Sequence, residues 1–161
     1  RGRGDVYKRQ HMPHLPSPLS DDEASFFSLA AEYLEAAEIL ARTPSTRLKL
    51  TMVTRYLLGH SAELLLKSLL HKHGVSLKDL KDNKIYGHNL SKLVKQAKAM
   101  KLIGSEALHT VEAFSKTYSS KHTEYRQNVA MQFPSLDSLM QEVRELEAQV
   151  FDHVAHFTSG V

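Results

Sequence analysis

Apolar side chains recur at intervals of three and four residues along most of the chain, which is the spacing of amphipathic helices. The first series comprises Phe26, Phe27, Leu29, Ala30, Tyr33, Leu34, Ala37, Ile39 and Leu40. It follows Ser20-Asp-Asp-Glu23, which has capping-box spacing, and it stops before Pro44. The pattern predicts a first helix over about residues 21–42, preceded by an extended, proline-containing lead-in over 12–19.

The second predicted helix covers about residues 46–73 and ends at Gly74, a residue type that suits a helix C-terminus. Leu, Met, Val and Ala occur almost all round it, which predicts neighbours on several sides. One narrow polar stripe remains and comprises Lys49, His60, Glu63, Lys67 and His71. This stripe is either a solvated strip with a weak Glu63–Lys67 ion pair or a polar seam that faces a second, basic element.

The rest of the chain predicts a polar loop over 75–87 and three more helices. The first of these opens at residues 88–90, the second is capped by Gly104-Ser105, and the third is capped by Ser135. The last helix carries an apolar seam of Leu136, Leu139, Val143, Leu146, Val150 and Phe157, whereas residues 119–134 match no single pattern. The predicted fold is therefore all-α: an antiparallel up-and-down bundle of four to five helices in one domain over 20–158.

The composition is that of one globular domain, with 161 residues, 42% hydrophobic, 24% charged and no Cys. The absence of Cys excludes a disulfide framework, a thiol nucleophile and a Cys-ligated metal. No apolar run exceeds three residues, so we expect no membrane span, no signal peptide and a cytoplasmic location.

The net charge of +3 comes entirely from the first eleven residues. Asp5 to Gln10 read DVYKRQ, the translation of GATGTGTATAAGAGACAG, which ends a transposase-based sequencing adapter. We therefore expect residues 1–11 to be a processing scar rather than native sequence. The remaining chain has 17 basic and 17 acidic residues, so its overall charge does not argue for nucleic-acid binding.

Charge is nevertheless unevenly distributed along the chain. The segment from Lys67 to Lys101 contains nine lysines and two acidic residues, whereas residues 21–38 contain six acidic residues and no basic one. This distribution indicates either complementarity within the chain or a patch that faces phosphate. Because the basic residues are all Lys, they would attract phosphate diffusely rather than through bidentate contacts.

Three segments, taken in order, resemble the HEPN-domain family over residues 20–157. Ala62 to Leu70 (AELLLKSLL) resembles its A-E-x-x-L-K-x-L-L signature, and Gly87 to Leu93 (GHNLSKL) is similar to its G-H-D/N-L-x-x-L step. Tyr118 with Glu124-Tyr125-Arg126 resembles its Y…x-R-Y segment with the Arg–Tyr order reversed. The resemblance, closest to the branch of toxin–antitoxin systems, implies a helical bundle, a homodimer and a defence or RNA-processing role, often beside a nucleotidyltransferase partner.

Catalytic members of that family are metal-independent ribonucleases with an R-x4–6-H motif. No histidine follows Arg126 at that spacing, since residues 130–133 are Ala, Met, Gln and Phe. Arg55 and His60 match the motif as a string, but on a helix they would point about 140° apart. His122 and Arg126 have the reversed order with i,i+4 spacing, which places both on one helix face, so they are the candidate catalytic residues.

Without the motif, the resemblance favours a non-catalytic module that binds nucleotide, RNA or a partner protein. The candidate binding residues are Lys67, His88, Lys92, Lys95, Lys98, Tyr125 and Arg126, and the lysines of the third long helix and Arg126 would border one groove. Two alternatives stay open: an endoribonuclease toxin that uses His122 and Arg126, and a structural dimer without a ligand. We expect no cofactor and no metal, although His153 and His156 have a spacing that could share an ion.

Overall fold

The computed structural model describes residues 23–44, 51–120 and 133–154. They form six helices: α1 (Glu23–Arg42), α2 (Thr51–Lys72), α3 (Leu77–Lys81), α4 (Leu90–Ala99), α5 (His109–Ser119) and α6 (Leu136–Val154). The described residues contain no strand, so the all-α prediction is confirmed. The predicted adapter scar and lead-in fall at residues 1–19, outside the described part of the chain.

Helix α2 forms the centre of the bundle. The ten consecutive residues from Ser61 to Leu70 are all buried, and α2 contacts each of the five other helices. A helix that is apolar almost all round requires partners on every side, so the prediction of several neighbours is confirmed.

Side-chain contacts show that α1 and α2 run in opposite directions. Ser61 Oγ donates a hydrogen bond to the Ala30 carbonyl at 2.8 Å, and Ser68 Oγ donates to the Glu23 carbonyl at 2.5 Å. Later residues of α2 therefore meet earlier residues of α1. These two buried hydroxyls satisfy their hydrogen-bonding capacity on the neighbouring backbone, which lets the two helices pack closely.

Helix α6 is also antiparallel to α1. The Phe151 ring packs against the Phe27 ring with centroids 5.8 Å apart, and Arg144 Nε lies 2.5 Å from Glu38 Oε1. Because α1 is antiparallel to both α2 and α6, those two helices are parallel, and their C-terminal ends lie on the same side of the bundle. The apolar seam of α6 is buried inside this bundle, at Leu139, Val143, Leu146 and Val150.

Helices α4 and α5 form an antiparallel pair beside α2. Lys98 Nζ lies 3.5 Å from Glu112 Oε2, and the Ser91 backbone N–H donates to Ser115 Oγ at 2.8 Å. The ion pair draws Lys98 towards α5 and leaves it only 19% exposed. One lysine of the predicted basic face is therefore neutralised within the bundle.

The ends of two helices follow the sequence signals, and a third helix ends in the same way as the first of them. Gly74, with φ of 101°, ends α2, and the amide of the next residue donates to the Leu70 carbonyl at 3.0 Å, a Schellman arrangement. Lys101, with φ of 57°, occupies the same position after α4. Ser135 Oγ accepts a hydrogen bond from the Ser138 N–H at 3.4 Å at the start of α6. The predicted helix end at Gly74 and the predicted helix start at Ser135 are confirmed.

The start of α5 is different from the prediction. Gly104 and Ser105 do not cap the helix, which begins at His109 after Leu108 in a left-handed conformation with φ of 60°. Glu142 of α6 supplies the cap instead, because its carboxylate accepts hydrogen bonds from the backbone N–H groups of the second and third residues of α5, at 2.9 and 2.8 Å. A negative charge at a helix N-terminus is favourable. The predicted Gly104-Ser105 cap is therefore wrong.

The segment predicted as a polar loop, residues 75–87, contains the five-residue helix α3. Ser76 is its N-cap, with Oγ accepting from the Asp79 N–H at 3.1 Å, and Leu80 is fully buried. A helix of little more than one turn is too short to show a hydrophobic period, so the loop prediction is wrong over residues 77–81. None of the described helices is long and apolar enough to span a membrane.

Candidate functional site

The middle of the polar stripe, formed by Glu63 and Lys67, is buried and contains a carboxylate. Glu63 is 1% exposed and Lys67 is 6% exposed, and Lys67 Nζ donates to Glu63 Oε1 at 2.7 Å. At the end of the stripe, His71 Nδ1 lies 2.9 Å from the Val75 carbonyl oxygen. The solvated interpretation is therefore wrong for Glu63 and Lys67, which lie in a buried polar seam.

Two further elements reach the Glu63 carboxylate. His88 Nδ1, in the turn before α4, lies 3.0 Å from Oε1 and 3.1 Å from Oε2. Tyr118 of α5 donates from its hydroxyl to Oε2 at 2.7 Å. Glu63, Lys67, His88 and Tyr118, together with His60, are called the Glu63 cluster below. Parts of all three sequence segments that resemble HEPN domains thus meet at one buried side chain.

The turn before α4 explains how His88 reaches Glu63. Gly87 has φ of 47°, and a Cβ on it would lie 2.8 Å from the Asn83 backbone, so only glycine fits this close turn. Asn89 is the N-cap of α4, with Oδ1 accepting from the Lys92 N–H at 3.0 Å. The helix is therefore capped by Asn89 rather than by His88, and His88 orders the loop by binding it to α2.

The position of Tyr118 depends on Gly59 of α2. A Cβ on Gly59 would lie 2.6 Å from Tyr118 Cδ2 and 2.9 Å from Phe114 Cε1. Both distances are shorter than real carbon contacts, so α5 can approach α2 this closely only where α2 has no side chain. Gly59 lies in the interior of the helix predicted over about residues 46–73, and the apolar pattern of that helix assigns it no role. A glycine among apolar residues in mid-helix is the signal that could have indicated the close approach.

His60 extends the hydrogen-bond network. Its Nδ1 lies 3.0 Å from the Tyr118 hydroxyl oxygen. Since the Tyr118 O–H donates to Glu63, that oxygen accepts here, and we assign the proton of His60 to Nδ1. The imidazole packs edge-on against Tyr33, with centroids 4.5 Å apart, and is stacked with Tyr56 at 6.0 Å. The result is a directed chain from His60 through Tyr118 to Glu63.

The electrostatics of the cluster keep Glu63 ionised and His60 neutral. Burial raises the pKa of Glu63, but the charge and hydrogen bond of Lys67, the Tyr118 hydrogen bond and His88 together outweigh it, so the pKa lies below its usual value. Burial lowers the pKa of His60, and His88 and Lys67 lower it further against the opposing effect of Glu63. Glu63 is therefore not a proton acceptor near neutral pH.

The depressed pKa of His60 makes stability depend on pH. At pH values above the unfolded-state pKa of about 6.5, His60 is neutral in both the folded and the unfolded chain. It therefore does not change the free energy of unfolding there. As the pH falls below it, the unfolded chain binds the proton first, so we expect the free energy of unfolding to decrease, by at most about 1.4 kcal/mol per pH unit for one group. Urea unfolding at pH 7.5 and pH 5.5 should show a smaller decrease for His60→Asn than for wild type. An identical decrease in both would contradict this assignment.

His88 is the member of the cluster that faces solvent. Its side chain is 65% exposed, whereas Glu63 beneath it is buried. Because a carboxylate can only accept, the Nδ1 of His88 carries a proton, and Nε2 on the opposite side of the ring is directed away from Glu63. An exposed imidazole that is oriented by a buried carboxylate can bind an anion when protonated and exchange a proton when neutral.

Three exposed lysines in this turn and in α4 are called the lysine face: Lys84, Lys92 and Lys95. Lys92 Nζ donates to the Lys84 carbonyl at 3.1 Å, which closes the loop that contains His88. Lys92 and Lys95 were predicted as binding residues, whereas Lys84 was not. Lys67 and Lys98, also predicted, instead have carboxylate partners within the bundle.

Arg55 and His60 contact different residues, as their helical spacing predicted. The Arg55 guanidinium lies 5.3 Å from the centroid of the Phe133 ring and donates to the Pro134 carbonyl. His60 instead contacts Tyr118. Five other candidate site residues lie outside the described part of the chain: Lys49, His122, Tyr125, Arg126 and His156. The predicted groove between the lysines and Arg126 therefore stays a prediction, and so does the catalytic pair of His122 and Arg126.

The described residues contain no group of three or more His, Asp or Glu side chains arranged to hold a metal ion. Comparison of the chain with protein-family models, with curated proteins and with solved structures gives no match. The function is accordingly inferred from the chemistry of the Glu63 cluster and the lysine face.

Proposed function

We propose that this chain is a non-catalytic, HEPN-like helical module that binds the phosphates of RNA or of a nucleotide through the lysine face and His88. One observation carries the proposal: Lys84, Lys92 and Lys95 are exposed in the turn that contains His88 and in the helix that follows it, and no carboxylate within the described ranges forms an ion pair with them. Lysines without an internal carboxylate partner can neutralise phosphates, and the release of the cations condensed on the phosphate backbone favours binding.

His88 adds a directed contact to the diffuse attraction of the lysines. Its ring is fixed by the two hydrogen-bond distances to Glu63, 3.0 and 3.1 Å. A fixed imidazole loses little conformational freedom when a ligand binds, and when protonated it donates to a phosphate oxygen. The resemblance of Gly87 to Leu93 to the HEPN step is consistent with this role.

The Glu63 cluster supports a positioning role rather than a catalytic one. Both carboxylate oxygens already accept hydrogen bonds, and Lys67 balances the charge. A general base needs a pKa near the working pH and a free path to the proton it removes. Glu63 has neither, because its pKa is lowered and its side chain is buried.

The triple variant K84A/K92A/K95A tests the proposal. We expect it to bind a single-stranded RNA oligonucleotide at least tenfold more weakly than wild type by fluorescence anisotropy. We also expect the slope of log affinity against log salt to fall by about 2 units, at about 0.7 per lost phosphate contact. The control R42A/K116A/R144A removes the same number of positive charges from exposed residues elsewhere and should keep the wild-type slope.

Absence of RNA and nucleotide binding by wild type, or an equal loss in both triple variants, would contradict the proposal. Cleavage of the oligonucleotide that disappears in His122→Ala would instead favour the ribonuclease alternative. The homodimer and the nucleotidyltransferase-type partner implied by the resemblance belong to the same proposal. Light scattering of the purified chain and co-purification with a candidate partner would test them.

A further inference from the structure

A second polar contact lies away from the Glu63 cluster, where the parallel helices α2 and α6 end. His73 directly follows α2, and His153 lies in the last turn of α6. His73 Nε2 is 2.9 Å from His153 Nδ1, and the two rings meet edge to face with centroids 5.0 Å apart. Two residues that are 80 positions apart in the sequence thus bring their ring nitrogens together at an exposed site.

We infer that His73 and His153 form a two-imidazole site for a divalent transition-metal ion, with water at the remaining positions. Metal–imidazole bonds are about 2.0–2.1 Å long, so two nitrogens 2.9 Å apart would subtend an angle of about 90° at an ion bound to both. That is the angle between neighbouring ligands in square-planar or octahedral coordination, which Cu²⁺ and Ni²⁺ favour.

The surroundings of the two histidines favour a cation. Helices α2 and α6 are parallel, so both present the negative end of the helix dipole here. Lys72 is the neighbouring positive charge that opposes binding.

A bound ion would join the ends of two helices that are distant in sequence. At present the N–H of one imidazole donates a hydrogen bond to the unprotonated nitrogen of the other. To bind the ion, the donating ring would carry its proton on its other nitrogen, so that both facing nitrogens bind the ion as neutral imidazoles. Because the two histidines are adjacent only in the folded protein, an ion held by both would stabilise the folded state over the unfolded one. No third metal-binding side chain joins them among the described residues, so the ion would stay open to solvent.

Thermal unfolding of the full chain with CuCl₂, NiCl₂, ZnCl₂ or MgCl₂ tests the inference. We expect Cu²⁺ or Ni²⁺ at about 100 times its Kd to raise the Tm by about 5 °C or more, and Mg²⁺ to leave it unchanged. His73→Ala and His153→Ala should each abolish the rise, and the double variant should lose no more than either single one. His109→Ala is the matched control, since His109 is exposed and pairs only with Glu106 among the described residues; it should keep the full rise.

The non-additivity separates a shared ion from two independent weak sites, because a chelate requires both rings. Electron paramagnetic resonance of the Cu²⁺ form should show two coordinating imidazole nitrogens in wild type and fewer in each single variant. A Tm rise that persists in the double variant, or that is lost in His156→Ala and kept in His73→Ala, would overturn the inference. Absence of any metal-dependent rise in wild type would overturn it as well.

Discussion

Replacing Lys67 by Met is expected to lower the free energy of unfolding by about 3–5 kcal/mol. The substitution keeps a side chain of similar length but removes the positive charge that lies 2.7 Å from Glu63 Oε1. Glu63, with 1% exposure, would then be a buried carboxylate without its cation, and breaking a buried ion pair from one side carries a penalty of this size. Urea unfolding at pH 7, followed by far-ultraviolet circular dichroism, measures the difference.

The double variant Glu63→Gln/Lys67→Met is the control for this prediction. The Glu63→Gln substitution removes the negative charge, and the new amide oxygen can still accept a hydrogen bond from Tyr118. We expect the double variant to be more stable than Lys67→Met alone, with a coupling free energy of about 1–3 kcal/mol. If the effects of the two single substitutions simply add, the two side chains do not depend on each other, and Lys67 is not the counterion that stabilises the buried carboxylate.

Replacing Gly59 by Val is expected to lower the free energy of unfolding by about 3 kcal/mol. Even one added carbon would lie 2.6 Å from the Tyr118 ring and 2.9 Å from Phe114, so α5 must move away from α2. Overpacking of a well-packed core costs about 1–3 kcal/mol, and here it also separates the Tyr118 hydroxyl from Glu63. Urea unfolding, followed by far-ultraviolet circular dichroism, measures the loss.

Gly104→Val is the matched control, because a Cβ on Gly104 would meet nothing within 4 Å. This variant should change the free energy of unfolding by about 0.5 kcal/mol or less, as is usual for exposed positions. Equal tolerance of Val at positions 59 and 104 would show that α5 does not need its close approach to α2.

The sequence predicts those features of the fold that depend on local patterns. The apolar residues all round α2 predicted its central place, and Gly74 and Ser135 marked helix ends correctly, since each signal lies within a few residues of its effect. Helix α3 was missed because it has five residues and shows no period. The predicted start of α5 was wrong because the residue that caps this helix is distant in sequence. The cap is Glu142, which accepts a hydrogen bond from the Thr110 N–H and lies 32 positions after it.

The candidate site was predicted only in part. The polar stripe of α2 identified Glu63 and Lys67, and the resemblance pointed to His88 and Tyr118, but nothing local indicated that all four meet. Their convergence depends on the turn at Gly87 and on the approach of α5 at Gly59, both of which are tertiary features. The ion pair of Lys98 was also not predictable from local sequence, because its partner Glu112 lies on another helix.

The carboxylate of Glu142 has a consequence for the order in which the bundle assembles. Leu108 offers no side-chain cap to α5, so the first turn of that helix is completed by a residue that the ribosome adds about thirty positions later. During synthesis, the two N–H groups that Glu142 accepts from are left to water until α6 has emerged and docked. The docking of α6 and the stability of the first turn of α5 are thereby coupled.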